Sequence, residues 1–398
     1  MTHFLSERIN AMSESQTIAM AKKARELAAQ GFDVINLSFG EPDFQTPDYI
    51  KAAAKKAIDD GFSFYTPVPG YLDLRQAIAE KLLRDNGLSY KPENIVVSTG
   101  AKQSIANAVM CLVNPSDEVV IIAPYWVSYL EIVKLAEGEP VIVSGTLEND
   151  FKPTAAQIEA AITPKTKLLM YSSPSNPTGA MFSREELAAI ADVLERHPHV
   201  LVIADEIYEY INFEGKHESL ASFEKIKDRV VTVNGFSKGF AMTGWRVGYI
   251  AAAKPIADAC DKMQGQFTSG TCSIAQKAAL GALKGDMTPT KEMTAAFLRR
   301  RDMMVGLLSE IEGFKISIPK GAFYLFPDIS HYFGKKNGEQ TITNAADLSM
   351  YLLNEAHVSL VTGEAFGDEN CIRISFAAAD EKLREAVSRI KAALAKLQ

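Results

Sequence analysis

Short apolar runs recur between residues 94 and 239, and each closes on residues that a protein core would not choose. They read "NIVVSTG" (94–100), "DEVVIIAPYW" (117–126), "TKLLMYSSPSNPTG" (166–179), "HVLVIADEIYEY" (199–210) and "RVVTVNGFSKG" (229–239). Amphipathic stretches lie between them. The stretch 183–197, "SREELAAIADVLERH", opens with Ser183 and Glu186 in capping-box spacing before its apolar stripe. Strand-like runs alternating with helical patterns predict an α/β fold with a mainly parallel sheet. From about residue 285 the rhythm changes. "GFKISIPKGAFYLFPDIS" (313–330) and "VSLVTGEAFGDENCIRISFA" (358–377) alternate more, and the amphipathic segments 345–357 and 380–397 accompany them. This predicts a large domain over 46–284 and a smaller α+β domain over 285–398, which the arm 1–45 joins. One long helix across 276–311 is expected to link the two.

Composition narrows the class. The chain has 398 residues, 47% of them hydrophobic, enough for a large core and two or three domain-sized units. A net charge of −7 without blocks of either sign excludes a nucleic-acid footprint, so small molecules or proteins are the expected partners. No apolar run reaches the roughly 18 residues of a membrane span, and "MTHFLSERINAMSES" has neither the basic start nor the apolar run of a signal peptide. A cytoplasmic location is expected. Cys111, Cys260, Cys272 and Cys371 lack CxxC spacing, so buried free thiols are expected rather than a zinc site or disulfides. His197 and His199 form the one close histidine pair, and no metal site is expected.

In open α/β sheets, ligands bind in the crevice outside the carboxyl ends of the strands, so the run ends are where chemistry is sought. Gly100, Ala101 and Lys102 stand between a β-branched run and an amphipathic helix, where free amide groups and the helix dipole face an anion. Trp126 offers either core packing or a plate for a flat heterocycle. Asn176 sits in the proline-bracketed "SSPSNPTG", as a turn residue or a directed amide donor. Asp205 closes a run that should be buried, where a carboxylate needs a cationic partner, protein or ligand. Tyr208 follows three residues on. Lys238 ends another buried run; burial beside a second cation turns its ammonium into a neutral nucleophile suited to an imine. Ser237 and Arg246 can bind a phosphate. Together these groups fit a phosphorylated pyridine aldehyde.

These residues also carry a likeness. "INLSFGEPDFQTPDYI" (35–50), "YTPVPGYLDLRQAI" (65–78), "PYWVSYLEIV" (124–133), "SSPSNPTGAMFS" (172–183), "ADEIYEYINFEG" (204–215), "NGFSKGFAMTGWRVGYI" (234–250), "GAFYLFPD" (321–328) and "CIRISFA" (371–377) span nearly the whole chain. The chain resembles the class I/II aminotransferases of fold type I, which use pyridoxal 5′-phosphate (PLP), and is most similar to the bacterial and thermophile-type aspartate aminotransferases. The resemblance implies that Lys238 holds the cofactor as an imine and moves the proton between the substrate α-carbon and the cofactor. It implies that Asp205 pairs with the ring nitrogen, Asn176 and Tyr208 with the ring hydroxyl, and that Trp126 stacks on the ring. Ala101, Lys102, Ser237 and Arg246 become the phosphate site, joined by Tyr65 from a neighbouring subunit, so a homodimer is implied. Arg373, between Ile372 and Ile374, becomes the fork for the α-carboxylate, with a backbone contact from Gly40. An amino acid and a 2-oxoacid are the implied substrates, in a ping-pong exchange.

Substrate choice has less support in the residues. Thr17 in the arm can serve a side-chain carboxylate, whereas Met110 stands where some relatives that take acidic substrates carry a cation. Aspartate with 2-oxoglutarate is the leading reading; an aromatic or prephenate aminotransferase and a PLP-dependent β-lyase are the alternatives. A DNA-binding regulator half has no segment to bind with, and a nicotinamide-dependent dehydrogenase lacks its G-x-G-x-x-G.

Overall fold

The computed structural model describes residues 4–14 and 16–398. The five apolar runs supply five strands of a seven-stranded sheet that β3 and β7 complete: β1 (Ile95–Ser98), β2 (Glu118–Ala123), β3 (Glu139–Ser144), β4 (Thr166–Ser172), β5 (Leu201–Asp205), β6 (Val230–Gly235) and β7 (Gly248–Ala251). Their spatial order is β1-β7-β6-β5-β4-β2-β3. Pairings from β3 to β6 are parallel, and β7 runs against both of its neighbours, β1 and β6.

Successive residues of these strands are buried on opposite sides. Leu168, Met170 and Ile203 enter one core with Ile105, Val109 and Tyr129. Leu169, Tyr171 and Val202 enter another with Ile78, Leu82 and Ala278. A strand covered on both faces has no reason to alternate with polar residues, which is why the runs are continuous. Each such Val, Leu or Ile contributes about 1.5–3 kcal/mol of burial. The edge strand β3 was not among the expected runs. It contains Pro140 and is largely half-exposed, so it carries a weaker strand pattern.

Helix Arg184–Arg196 begins as predicted, with Ser183 and Glu186 exchanging side-chain-to-amide bonds of 3.2 and 2.7 Å. The expected single helix over 276–311 is two, Ser273–Lys284 and Thr288–Ser309. Gly285 ends the first, and Asp286 accepts from the Thr288 amide and hydroxyl, which together with Pro289 starts the second.

A separate core gathers Ile35, Phe297, Tyr324, Leu348, Val358 and Ile374. Its three-stranded antiparallel sheet orders Val361–Thr362, Ile372–Ser375 and Tyr324–Leu325. Ile35–Asn36 pairs in parallel with Val358–Ser359, which stitches the N-terminal segment to the C-terminal part of the chain. The thiols differ from expectation. Cys260 and Cys371 are buried, but Cys111 is half-buried and Cys272 exposed, because Cys272 lies at the surface just before the helix Ser273–Lys284 rather than inside an element. Among the described residues no helix is long and apolar enough to cross a membrane.

Candidate active site

A cavity of about 420 Å³ opens at the carboxyl ends of β1, β2, β4, β5 and β6. Ala101, Lys102, Trp126, Asn176, Asp205, Tyr208, Ser237, Lys238 and Arg246 all line it from the sheet side. Gly40, Tyr324 and Arg373 close it from the C-terminal core, and Thr17 and Ile18 from the helix Gln16–Ala29. Four cations therefore face two carboxylates, Asp205 and Glu41. Such a surplus suits a ligand carrying several negative charges.

One end of the cavity is built for an anion. Gly100, at φ 83°, precedes helix Ala101–Leu112, whose first amides have no partner within the helix. A Cβ on Gly100 would collide with the Arg246 guanidinium, and one on Gly248 with the Ala101 amide. The two glycines thus let the arginine and the helix start converge. Arg246 adopts a left-handed φ of 56° and donates to the Thr243 carbonyl at 2.9 Å. Ser237, also buried, lines the same cavity. The Lys102 ammonium stands 4.9 Å from the centre of the Trp126 ring, and burial with the nearby Arg246 charge lowers its proton affinity.

The middle of the cavity holds Asp205. It is buried; its Oδ2 accepts from the Tyr129 hydroxyl at 2.7 Å and its Oδ1 from the Ile207 amide at 3.2 Å. Burial pushes this carboxyl up to about 6 against the opposing effect of those donors. The Lys238 ammonium donates to the Gly40 carbonyl. Burial, then the charge of Arg373, brings its pKa down to about 8. The Tyr208 and Tyr324 hydroxyls share a bond of 2.7 Å.

Arg373 occupies the far side. It is 2% exposed and sits 4.6 and 4.9 Å from the ring centres of Tyr324 and Phe366. It donates to Asn176 Oδ1 at 2.9 Å and to the Ser38 carbonyl at 2.6 Å, while its Nε has no acceptor. Among the described residues its hydrogen bonds go to two neutral oxygens and to no carboxylate, so a buried cation that lines the cavity retains unused donors.

Tyr65 is the predicted site residue that this chain does not bring to the cavity; its side chain is 97% exposed beside Phe64 and Cys272. Tyr129 and Tyr324 were not anticipated. Tyr129 lies three residues beyond Trp126, one helical turn away, which was its only signal; Tyr324 lies in "GAFYLF" and reads as core. Glu206 and Glu209, which follow Asp205 and Tyr208 directly in the chain, form a second buried group with His217. These are the nearest approach to a metal-ligand set among the described residues, but the Lys81 ammonium already pairs with Glu209, and His217 lies 3.1 Å from Glu206. His197 pairs with Glu159 instead, at 3.3 Å.

The donors present fit PLP: an anion seat at one end, a carboxylate in the middle for a ring nitrogen, an amine whose proton affinity is lowered, and an aromatic plate. Comparison with known proteins agrees. The family profile "Aminotransferase class I and II" matches residues 33–390. An aspartate/prephenate aminotransferase of Cereibacter sphaeroides is 50% identical over 392 residues, 98% of each chain. The crystal structure of an aspartate aminotransferase from Rhizobium meliloti superimposes with a TM-score of 0.96 at 41% identity, over 99% of both chains. An aspartate aminotransferase from Thermus thermophilus, solved with maleate, gives 0.92 at 38% identity, over 98% of this chain and 99% of the other.

Proposed function

We propose an aspartate donor and a 2-oxoglutarate acceptor for this enzyme, starting from the premise that the chain belongs to the class I and II aminotransferases, which are PLP-dependent. The products are oxaloacetate and glutamate. Bound PLP supplies an aldehyde that condenses with amines and a protonated ring that accepts the electron pair released at the substrate α-carbon. Lys238, with its lowered proton affinity, is the amine that holds the cofactor and afterwards carries the proton to and from the α-carbon. Asp205, ionised above about 6, keeps the ring nitrogen protonated. Asn176 and Tyr208 bind the ring hydroxyl, and Trp126 covers the ring face. The Ala101 and Lys102 backbone, Ser237 and Arg246 hold the phosphate, with Tyr65 reaching it from a second subunit.

Arg373 takes the α-carboxylate, assisted by Gly40, and the observation that carries this reading is its buried guanidinium with no carboxylate partner. Of the four cavity cations, Lys238, Arg246 and Arg373 then have their tasks. Lys102 is left, and its ammonium near Trp126, with Thr17 lining the same cavity, serves the side-chain carboxylate of a dicarboxylic substrate. The names of the similar proteins support the same choice. Prephenate, which also carries a second carboxylate, is the second reading; the apolar surfaces of Ile18 and Phe39 on the cavity wall favour a bulkier ring there. The same reading divides the chain into a cofactor-binding domain over 46–284 and a smaller one built from 1–45 and 285–398, in a cytoplasmic homodimer.

A half-reaction panel tests it. Holoenzyme is mixed with single amino acids, and conversion of the cofactor absorbance is followed. Aspartate and glutamate are expected to react fastest. Equal or faster reaction with phenylalanine refutes the dicarboxylate assignment, and release of pyruvate without amine transfer identifies a β-lyase.

A further inference from the structure

Asp205 is an uneasy residue in this fold. It ends β5 in the middle of the sheet, 4% exposed, where an ionised carboxylate is stable only with donors around it. One donor is local, the Ile207 amide at 3.2 Å. The other comes from a different element: Tyr129, on helix Ser128–Leu135, reaches across with its hydroxyl to Oδ2 at 2.7 Å. Tyr129 is itself 1% exposed, and burial and the Asp205 charge hold its phenol protonated well above the ordinary range, so its hydroxyl hydrogen stays available to the carboxylate. Its ring also meets Trp126 edge to face, with centroids 5.6 Å apart. One side chain thus touches both the carboxylate and the aromatic plate.

The other groups around Asp205 do not duplicate this contact. Lys238 lies across the cavity on the loop after β6 and interacts through charge only; Glu206 opposes ionisation; Tyr208 spends its hydroxyl on Tyr324; Ser172, beside Asp205 in the sheet, donates to the Pro174 carbonyl. We propose that Tyr129 is a positioning residue for the reaction: its hydroxyl keeps Asp205 ionised and fixes its Oδ2, so that Asp205 can hold the cofactor's ring nitrogen protonated. This rests on the role given to Asp205 above.

The test is a double-mutant cycle on PLP affinity, with Tyr129→Phe, Asp205→Asn and the pair, each also titrated from pH 5 to 9 by the bound-cofactor absorbance. Tyr129→Phe keeps the ring against Trp126 and removes one oxygen. A hydrogen bond to a charged group is worth about 10- to 100-fold. Tyr129→Phe should therefore bind PLP weaker by about that factor near pH 7, with the acid limit of binding moved up by about 1 to 2 pH units. In the Asp205→Asn background the same change should matter by less than about threefold, because the charge it serves is gone. Tyr129→His, which restores an N–H donor, should recover part of the loss. Wild-type affinity and an unmoved acid limit in Tyr129→Phe overturn the proposal, as does full additivity in the pair, which marks a packing role. If Asp205→Asn itself binds PLP like wild type, the Asp205 assignment falls and this inference with it. Should Tyr129→Phe not fold, Tyr129→His compared with Tyr129→Leu decides between the same outcomes.

Discussion

Replacing Arg373 by methionine should lower amino-acid turnover by orders of magnitude while leaving the cofactor-free protein about as stable as before. Of the five guanidinium N–H groups, two are used, one on Asn176 and one on Ser38, and three remain, including Nε. A bound α-carboxylate takes two of these as a fork. Charge-assisted bonds are worth about 1.5–3 kcal/mol each, so losing two lowers kcat/KM for the amino acid by about 10²–10⁴-fold. Stability follows different terms. The substitution removes a desolvated cation without a counter-ion, which relieves several kcal/mol, and it orphans the Asn176 and Ser38 acceptors at about 1–3 kcal/mol each. The two nearly cancel. Breaking a true buried ion pair would instead cost about 3–5 kcal/mol. The assay is a stopped-flow half-reaction with aspartate, using a primary amine without an α-carboxylate as the control that should react equally with both proteins, alongside urea unfolding of the apo forms. A loss in kcat/KM under tenfold, or a destabilisation of the size of a broken ion pair, refutes this reading of Arg373.

Gly100→Ala should weaken PLP binding by at least tenfold in equilibrium dialysis, because the new methyl meets the Arg246 guanidinium at a backbone φ of 83°; unchanged affinity refutes the convergence of these two groups on one anion. The rate at which apoenzyme captures PLP should rise with pH and level off above about 8, since the neutral amine reacts and the Lys238 pKa is lowered to that value; a rise that continues to about 10, as for an ordinary lysine, contradicts it. Lys102→Ala should slow the half-reaction with aspartate by about tenfold or more and leave phenylalanine within about threefold, a contrast read from the same absorbance; equal losses on both place Lys102 at the phosphate alone.

The strand ends were legible because burial and polarity conflict there. Asp205 and Lys238 stand out against the apolar runs that carry them, and such conflicts concentrate where a ligand resolves them. Features that carry no local conflict stayed hidden. Tyr129 and Tyr324 look like core residues in sequence, and their roles come from hydroxyls that meet partners 76 and 116 residues away. The break between the two helices at Gly285 was overridden by the apolar periodicity on either side, although the glycine and Pro289 were visible. Edge strand β3 was diluted by solvent on one side. Tyr65 is exposed in this chain, and the role proposed for it needs a second copy, which no pattern within one copy encodes. The charged group of Lys81, Glu206, Glu209 and His217 was invisible for a further reason: its members come from three stretches of the chain, and the pairs Lys81–Glu209 and His217–Glu206 exist only once these meet.

The convergence of Gly100 and Ala101 with Arg246 and Gly248 also bears on how the chain acquires its native state. The Arg246 guanidinium approaches the Thr99 carbonyl across 147 residues of sequence, and the antiparallel strand β7 must slot between β1 and β6 before the two sides meet. A chain that has built only the early strands has no anion seat, and neither does one whose last strand has not docked. PLP therefore recognises the completed sheet and not its precursors. At a thousandfold excess over its dissociation constant, a ligand so restricted deepens the native minimum by about 4 kcal/mol. Added PLP is therefore expected to slow unfolding and proteolysis of the chain as well as to enable its turnover.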